Sequence, residues 1–183
     1  MNEIVVLLGS NIEKEKHIPE AVRLLRQMCR VTAVSPVYET IPVGLLNQPN
    51  FFNTAVRLET NLGATQFKEQ VLNKVERQLK RVRYAMEKNA PRTIDVDIVL
   101  CNDDIFTYGS HRVPDPDLLK WAHVAVPVAD LVGDMLHPET GEPIAEIARR
   151  LVEKATVDGR PPLWPRPDIR LETINSQQST DND

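Results

Sequence analysis

The chain has 183 residues, of which 42% are hydrophobic and 26% are charged, and its formal net charge is -4. This composition is typical of one compact globular domain and excludes a largely disordered chain. The absence of a basic excess argues against a sequence-independent nucleic-acid-binding protein. The apolar run at residues 4–8 is too short for a membrane span or a signal segment, so we expect a cytoplasmic protein without membrane partners.

The first hundred residues predict the order strand, helix, strand, strand, helix, strand. Each strand is a short run of β-branched or aliphatic residues, and each helix has apolar residues at three- and four-residue steps. The predicted strands cover residues 4–8, 31–38, 51–58 and 93–100, and the predicted helices cover about 18–29 and 65–81. This order predicts an α+β fold, a ferredoxin-like βαββαβ sandwich with two helices on one side of an antiparallel sheet.

The remaining residues predict a C-terminal extension. A short helical segment near residues 116–122 precedes an apolar run at 124–132, and a last helix is expected near 144–154. We assign residues 1–158 to a single domain. Residues 159–183 form a proline-rich and then polar tail, which we expect to be partly disordered because it contains few apolar residues.

Two aspartates on the last predicted strand carry the strongest chemical signal. Asp95 and Asp97 are two residues apart, so their side chains point to the same side of the strand with Cα atoms about 6.6 Å apart. Carboxylates at this spacing can hold one or two hard cations, which prefer oxygen ligands. The alternative is a solvated strand face without a function.

Three arginines flank this pair, at Arg81, Arg83 and Arg92. The planar guanidinium group suits bidentate contacts to phosphate oxygens. Carboxylates that hold magnesium beside arginines that hold phosphates are typical of phosphoryl transfer. The simpler alternative is that the arginines only neutralise the aspartates.

The strand at residues 51–58 offers a second candidate site. Phe51 and Asn53 share one face of this strand, opposite Phe52, Thr54 and Val56. A buried carboxamide needs hydrogen-bond partners, so Asn53 is a candidate ligand contact. Phe51 either stacks on the same ligand or packs in the core.

Together these segments resemble the 6-hydroxymethyl-7,8-dihydropterin pyrophosphokinase family of folate biosynthesis. In that family an arginine-rich loop leads into a Pro-Arg-Thr-(Ile/Leu)-Asp-(Leu/Val)-Asp-Ile strand. The resemblance covers about residues 4–138 and depends on four segments in the right order, at 9–11, 35–44, 48–53 and 91–97.

The resemblance implies an ATP-dependent transferase, a kinase that moves pyrophosphate from ATP to the hydroxymethyl group of a reduced pterin and releases AMP. The implied catalytic residues are Asp95 and Asp97, which would hold two Mg²⁺ ions, and Arg81 and Arg92, which would grip the phosphates. The implied pterin contacts are Thr40, Pro42, Val43, Phe51 and Asn53. The implied nucleotide contacts are Asn73, Glu76 and Arg83, of which the first two could equally be on a solvated helix face. A loop at about residues 81–90 would close over both substrates.

The sequence departs from the family pattern near the expected ATP site. After Val113 and Pro114 the family usually has a histidine that contacts ATP, whereas this chain has Asp115. A carboxylate repels a triphosphate unless it reaches a cation or the ribose. Arg112 could hold this carboxylate or take over a phosphate contact, so both residues are candidate nucleotide contacts.

A second departure follows at residues 121–123, where the usual arginine of the family is replaced. The second ring stacked on the pterin would then be His123 or Trp121. Three hypotheses follow from the whole sequence: an active pterin pyrophosphokinase, a non-catalytic paralogue that binds pterin or nucleotide, and a ferredoxin-like interaction module. The expected partners are the small molecules ATP and pterin. The sequence leaves the oligomeric state open.

Overall fold

A computed structural model describes residues 1–44, 46–83, 90–157 and 162–171. Six strands form one sheet, in which the order β5-β1-β4-β3-β8 runs from edge to edge and β2 also pairs with β4. All pairs are antiparallel. The strands are β1 (Asn2–Ser10), β2 (Arg30–Val34), β3 (Tyr38–Thr40), β4 (Phe51–Thr60), β5 (Asp95–Cys101) and β8 (Leu163–Pro165).

Helices cover both faces of this sheet. On one face α1 (Lys14–Met28) packs beside a helical segment that consists of α2 (Ala64–Phe67), a π-helical turn (Lys68–Leu72) and α3 (Asn73–Gln78). On the other face α4 (Ala122–Val132) packs beside α5 (Ile144–Ala155). A small hairpin, β6 (Phe106–Tyr108) and β7 (His111–Val113), and a 3₁₀ helix (Pro116–Leu119) connect β5 to α4.

The two cores follow from the alternation of side chains along the strands. Val6, Leu8 and Val56 point toward α1, whereas Val5 and Ala55 point toward α4 and α5. Both faces of the central strands are therefore buried. The ordering of the first five strands and two helical segments confirms the predicted ferredoxin-like α+β fold, and the C-terminal extension adds the helices of the second face.

Some elements differ from those predicted. The single strand expected at 31–38 is divided into β2 and β3 by residues 35–37, and the apolar run at 124–132, for which no element was predicted, is part of helix α4. Residues 162–171, which we assigned to the tail, include β8, an edge strand that tolerates Pro165. The tail residues 159–161 and 172–183 lie outside the described residues, and the domain boundary at 158 stays a prediction. In the part of the chain that the structure describes, no helix has the length and apolarity needed to cross a membrane.

Candidate active site

A cavity of about 400 Å³ opens on the sheet face that α4 covers. Its floor comes from β1, β4 and β5, and its walls come from the residues after β3 and from the segment that begins α4. Nine of the fifteen residues selected from the sequence line it: Thr40, Val43, Phe51, Asn53, Arg92, Asp95, Asp97, Asp115 and His123. Two regions of the chain predicted to bind different substrates therefore meet in one cavity.

Three adjacent strands bring the two halves of the cavity together. Gly9 on β1 pairs with Asn53 on β4 on one side and with Asp95 on β5 on the other. A Cβ atom at Gly9 would lie 3.3 Å from Asn53 Oδ1, so the absence of a side chain lets the carboxamide approach the strand closely. In the sequence, Gly9 stood out only as part of the segment 9–11 on which the family resemblance depends.

The carboxamide of Asn53 is held in a fixed orientation. Its Nδ2 donates to Thr40 Oγ1 at 2.8 Å, and both residues are about 4% exposed. Because Nδ2 is engaged by Thr40, Oδ1 is the atom directed toward Gly9 and the cavity. Phe51 and Val43 also line this end, whereas Pro42 does not.

Two aromatic residues stand at the start of α4. The rings of Trp121 and His123 are stacked, with centroids 6.0 Å apart and an interplanar angle of 29°. Burial lowers the pKa of His123 to about 4, so the imidazole is neutral at pH 7. The sequence left open which of the two rings would line the site. In the structure both of them line the cavity.

Asp95 is surrounded by guanidinium groups. Arg92 Nη1 donates to Asp95 Oδ2, and Arg81 Nε lies 3.9 Å from Asp95 Oδ1. The Arg81 side chain is 8% exposed, and its Nε has no hydrogen-bond partner among the described residues. Burial lowers the pKa of Arg81, which means that its charge lacks full compensation here. An anionic group would supply that compensation.

Asp97 has a different cation beside it. Lys68 Nζ donates to Asp97 Oδ1 at 3.2 Å and to the carbonyl oxygen of Val96 at 2.6 Å. Sequence reasoning missed Lys68, although a signal was present. Lys68 stands four residues before Leu72 and seven before Val75, in the apolar stripe of its helix, where a lysine needs a buried partner.

Three of the expected nucleotide contacts, Asn73, Glu76 and Arg83, lie outside the cavity. Glu76 is 4% exposed, and its Oε2 accepts a hydrogen bond from Arg83 Nη2 at 2.7 Å, so it is not on a solvated helix face. Asn73 is only partly buried. Neither Glu76, Asn73, Arg83 nor Arg81 lines the cavity. Residues 84–89 of the loop expected to close lie outside the described residues.

Asp115 lines the cavity but does not pair with Arg112. Its side chain accepts a hydrogen bond from the backbone N–H of Asp117 at 2.9 Å and caps the 3₁₀ helix. Arg112 instead donates to Glu139. Burial raises the pKa of Asp115 to about 6. The expectation that Arg112 holds Asp115 is therefore wrong, because the Arg112 guanidinium group is paired with Glu139, 27 residues further along the chain.

The number of carboxylates in the cavity indicates which metal ion the site could hold. The described residues contain no group of three or more His, Cys, Asp or Glu side chains arranged around one metal position. Asp95 and Asp97 offer two carboxylates to the cavity. Mg²⁺ is typically bound by one or two carboxylates, with water and substrate phosphates as its other ligands. The pair thus fits a magnesium ion shared with a polyphosphate.

Comparison with known proteins identifies similar sequences. Residues 5–133 match the profile of the family described as 7,8-dihydro-6-hydroxymethylpterin-pyrophosphokinase (HPPK). The 2-amino-4-hydroxy-6-hydroxymethyldihydropteridine pyrophosphokinase of Bacillus subtilis is 37% identical over 135 residues, which are 72% of this chain and 79% of that protein. The folic acid synthesis protein fol1 of Pneumocystis carinii is 34% identical over 155 residues, which are 83% of this chain.

The chain spans about a fifth of the length of the Pneumocystis protein, with 20% of that protein covered. Among solved structures, a variant of Plasmodium falciparum HPPK-DHPS with STZ-DHP matches 90% of this chain and 48% of that chain, with a TM-score of 0.71. The two sequences are 12% identical, so this likeness shows the fold.

Proposed function

Because the chain belongs to the 7,8-dihydro-6-hydroxymethylpterin-pyrophosphokinase family, we propose that it transfers pyrophosphate from ATP to 6-hydroxymethyl-7,8-dihydropterin. The observation that carries this proposal is the row of Asn53, Gly9 and Asp95 across three neighbouring strands. Two strand spacings separate the carboxamide from the carboxylate, about 10 Å between their Cα atoms. That span suits a bicyclic ring at one end and its hydroxymethyl group at the other.

The pterin binds at the Asn53 end of the cavity. Asn53 Oδ1 accepts a hydrogen bond from a ring N–H group, and Thr40 keeps the carboxamide in the required orientation. The Phe51 ring and the neutral His123 ring supply flat surfaces for the heterocycle. A site with buried polar groups of fixed orientation rejects rings that lack the matching donors.

The phosphates bind at the Asp95 end. Asp95 and Asp97 hold Mg²⁺, which when bound supplies charge neutralisation to the phosphate oxygens. Arg92 and Arg81 exchange their contacts with Asp95 for contacts with the transferring group. Their positive charges then lie where negative charge develops in the transition state, which lowers the barrier.

The transfer is a direct displacement at the β-phosphorus of ATP. The hydroxymethyl oxygen forms a bond to that phosphorus while the bond from the phosphorus to the α,β-bridging oxygen breaks. AMP leaves with that oxygen, and the hydroxyl proton is released. The residues of the cavity act by orientation and charge, and no side chain forms a covalent bond to the group in transit.

The test is to incubate the protein with ATP, magnesium and the reduced pterin, and to separate the nucleotide products. We expect AMP and not ADP. Asp95→Asn and Asp97→Asn should each reduce kcat by a factor of about 10³ or more, because the amide keeps the shape but loses the charge that binds the metal.

Asp103→Asn is the matched control, since Asp103 is exposed and lies two residues after the end of β5. It should retain wild-type turnover. Binding of both ligands without AMP would favour the non-catalytic paralogue, and near-normal turnover in either site variant would refute the metal assignment.

A further inference from the structure

Lys68 is a buried cation at the proposed metal site, and phosphate binding does not explain it. Its side chain is 10% exposed, and its Nζ lies within 4 Å of three oxygen atoms: Val96 O at 2.6 Å, Asp97 Oδ1 at 3.2 Å and Glu76 Oε1 at 3.8 Å. The first two oxygens accept hydrogen bonds from the ammonium group, and the third is at ion-pair distance. The residue is also the first of the π-helical turn, a distortion that is frequent at functional sites.

The ammonium group compensates carboxylates that would otherwise repel one another. Glu76 is 4% exposed and Asp97 has a side chain that is 34% exposed, so both are partly or wholly removed from water. Lys68 Nζ is within 4 Å of both carboxylates, whereas Arg92 and Arg81 are paired with Asp95. It therefore gives Asp97 a positive neighbour before any metal is present.

The backbone position of Asp97 is fixed without Lys68. Asp97 belongs to β5, and its backbone pairs with Leu7 on the central strand. The shorter contact of Lys68 is to the main chain at Val96, which anchors the lysine to the same strand. Removal of the ammonium charge should thus leave Asp97 in place and change mainly the electrostatic potential at its carboxylate.

We propose that Lys68 keeps divalent cations off Asp97 until a nucleotide is bound. A cation on this carboxylate is repelled by the neighbouring ammonium group, so metal alone binds weakly. A triphosphate brings enough negative charge to offset that repulsion, and metal and nucleotide then bind together. This inference depends on the proposed function, because it assumes that Asp97 is a metal ligand.

The experiment titrates Mn²⁺ alone, without nucleotide, into the full chain and measures unbound Mn²⁺ by electron paramagnetic resonance. Lys68→Gln keeps a hydrogen-bond donor but loses the charge, and Lys68→Met loses both. Both variants should bind Mn²⁺ at least about ten-fold more tightly than the wild type. The control Lys74→Met removes an exposed lysine from α3 and should change nothing.

Thermal unfolding gives a second readout that turnover does not influence. Millimolar Mn²⁺ should leave the melting temperature of the wild type unchanged and raise that of Lys68→Gln, because a ligand stabilises the folded state only when it binds. If Lys68→Met does not fold, the Mn²⁺ affinity of Lys68→Gln and the melting temperature of the wild type still test the proposal. Adding Asp97→Asn to Lys68→Gln should abolish the gain in affinity.

Equal or weaker Mn²⁺ binding by Lys68→Gln would overturn the inference and leave Lys68 a structural residue. A wild type melting temperature that rises with Mn²⁺ alone would also overturn it. AMP formation by the wild type is measured separately, so a failure of the proposed function is recognised by the absence of AMP whatever the manganese titrations give.

Discussion

At the scale of single residues, Gly9 controls how closely the two ends of the site approach each other. Of the three paired residues Asn53, Gly9 and Asp95, only Gly9 has no side chain. A Cβ atom added at Gly9 would lie 3.3 Å from Asn53 Oδ1. A contact of this length requires either the carboxamide or the strand to shift. The orientation of Asn53 that Thr40 maintains is thus sensitive to one methyl group.

Gly9→Ala should weaken pterin binding by about 1–2 kcal/mol, roughly five- to thirty-fold, because the added methyl group displaces the Asn53 carboxamide. Calorimetric titration of the pterin in the presence of a non-hydrolysable ATP analogue measures this change. Gly63→Ala is the control, since a Cβ atom there meets nothing within 4 Å. Unchanged pterin affinity in Gly9→Ala would show that Asn53 does not contact the ligand.

A second prediction at this scale concerns Asp115, the carboxylate that replaces the histidine of the family pattern. It lines the cavity together with Asp97 and Asp117, and we expect its carboxylate to repel a triphosphate bound there. Asp115→His and Asp115→Asn should each tighten MgATP binding about ten-fold at pH 8. The asparagine keeps an oxygen that can cap the 3₁₀ helix, so loss of the cap cannot explain its effect.

The pH dependence provides the check on Asp115. Since burial raises its pKa to about 6, the wild-type carboxyl group is charged at pH 8 and mostly protonated at pH 5. The repulsion is therefore lost as the pH falls through 6. The ratio of wild-type to Asp115→Asn dissociation constants should decline from about ten at pH 8 toward one at pH 5. A ratio that does not vary with pH would refute the repulsion.

At the scale of elements, Glu39 on β3 connects three parts of the chain. Its carboxylate accepts hydrogen bonds from Lys14 Nζ in α1 at 2.8 Å, from Asn50 Nδ2 at 3.3 Å and from Arg166 Nη1 after β8 at 2.5 Å. Burial alone would raise the pKa of Glu39, but the bonds from Lys14 and Arg166 outweigh it and the pKa is lowered. The charged form of Glu39 thus stabilises the fold.

Glu39→Gln should lower the free energy of unfolding by about 1–3 kcal/mol, because the half-buried Lys14 loses the charged partner it has in Glu39 and Arg166 keeps only its pair with Asp168. The folded-state pKa lies below the unfolded value of 4.5, so this stabilisation is complete above about pH 4.5 and is lost at lower pH. Urea unfolding of both proteins at pH 7 and at pH 3 measures it. Glu146→Gln, which breaks an exposed pair with Arg149, should cost at most about 0.5 kcal/mol.

Sequence patterns predicted the strands and the faces of their side chains where the pattern lies within a few consecutive residues. The alternation along β4 and β5 placed Asn53 beside Phe51 and Asp95 beside Asp97, because two-residue periodicity alone decides which face a side chain occupies. The partnership of Glu39 with Arg166 spans 127 residues, and no local pattern encodes it. The prolines at 161, 162, 165 and 167 are typical of irregular chain and predict a tail, whereas the edge strand β8 accepts the one proline that it contains, Pro165.

At the scale of the whole molecule, β8 attaches the C-terminal region to the strand that supports the pterin site. Leu163 pairs with Thr40 and is buried in the second core, and Arg166 N–H donates to Val37 O at 2.8 Å. Thr40 in turn orients Asn53. β3 would be a bare edge strand without this addition, with its backbone groups in water.

A chain that ends at residue 158 tests the predicted domain boundary together with this contact. Its free energy of unfolding should be lower by about 3 kcal/mol, because the buried side chain of Leu163 and the contacts of Arg166 are lost. Its pterin affinity should fall while its MgATP affinity stays within about two-fold, because the phosphate residues belong to β5 and the segment before it. A truncated chain with wild-type pterin affinity would show that the domain is complete without β8.

Because Gly9 pairs with both Asn53 and Asp95, the distance between the two ends of the site does not depend on loop length. The distance between the two ends is determined by the spacing of hydrogen-bonded strands, which insertions or deletions in the connecting turns do not alter. A slip of β4 by one residue, in contrast, would bring Phe52 or Thr54 opposite Gly9 and turn Asn53 into the core beneath α1. The distance between Asn53 and Asp95 therefore depends on the register of β1, β4 and β5 and not on the length of the connecting turns.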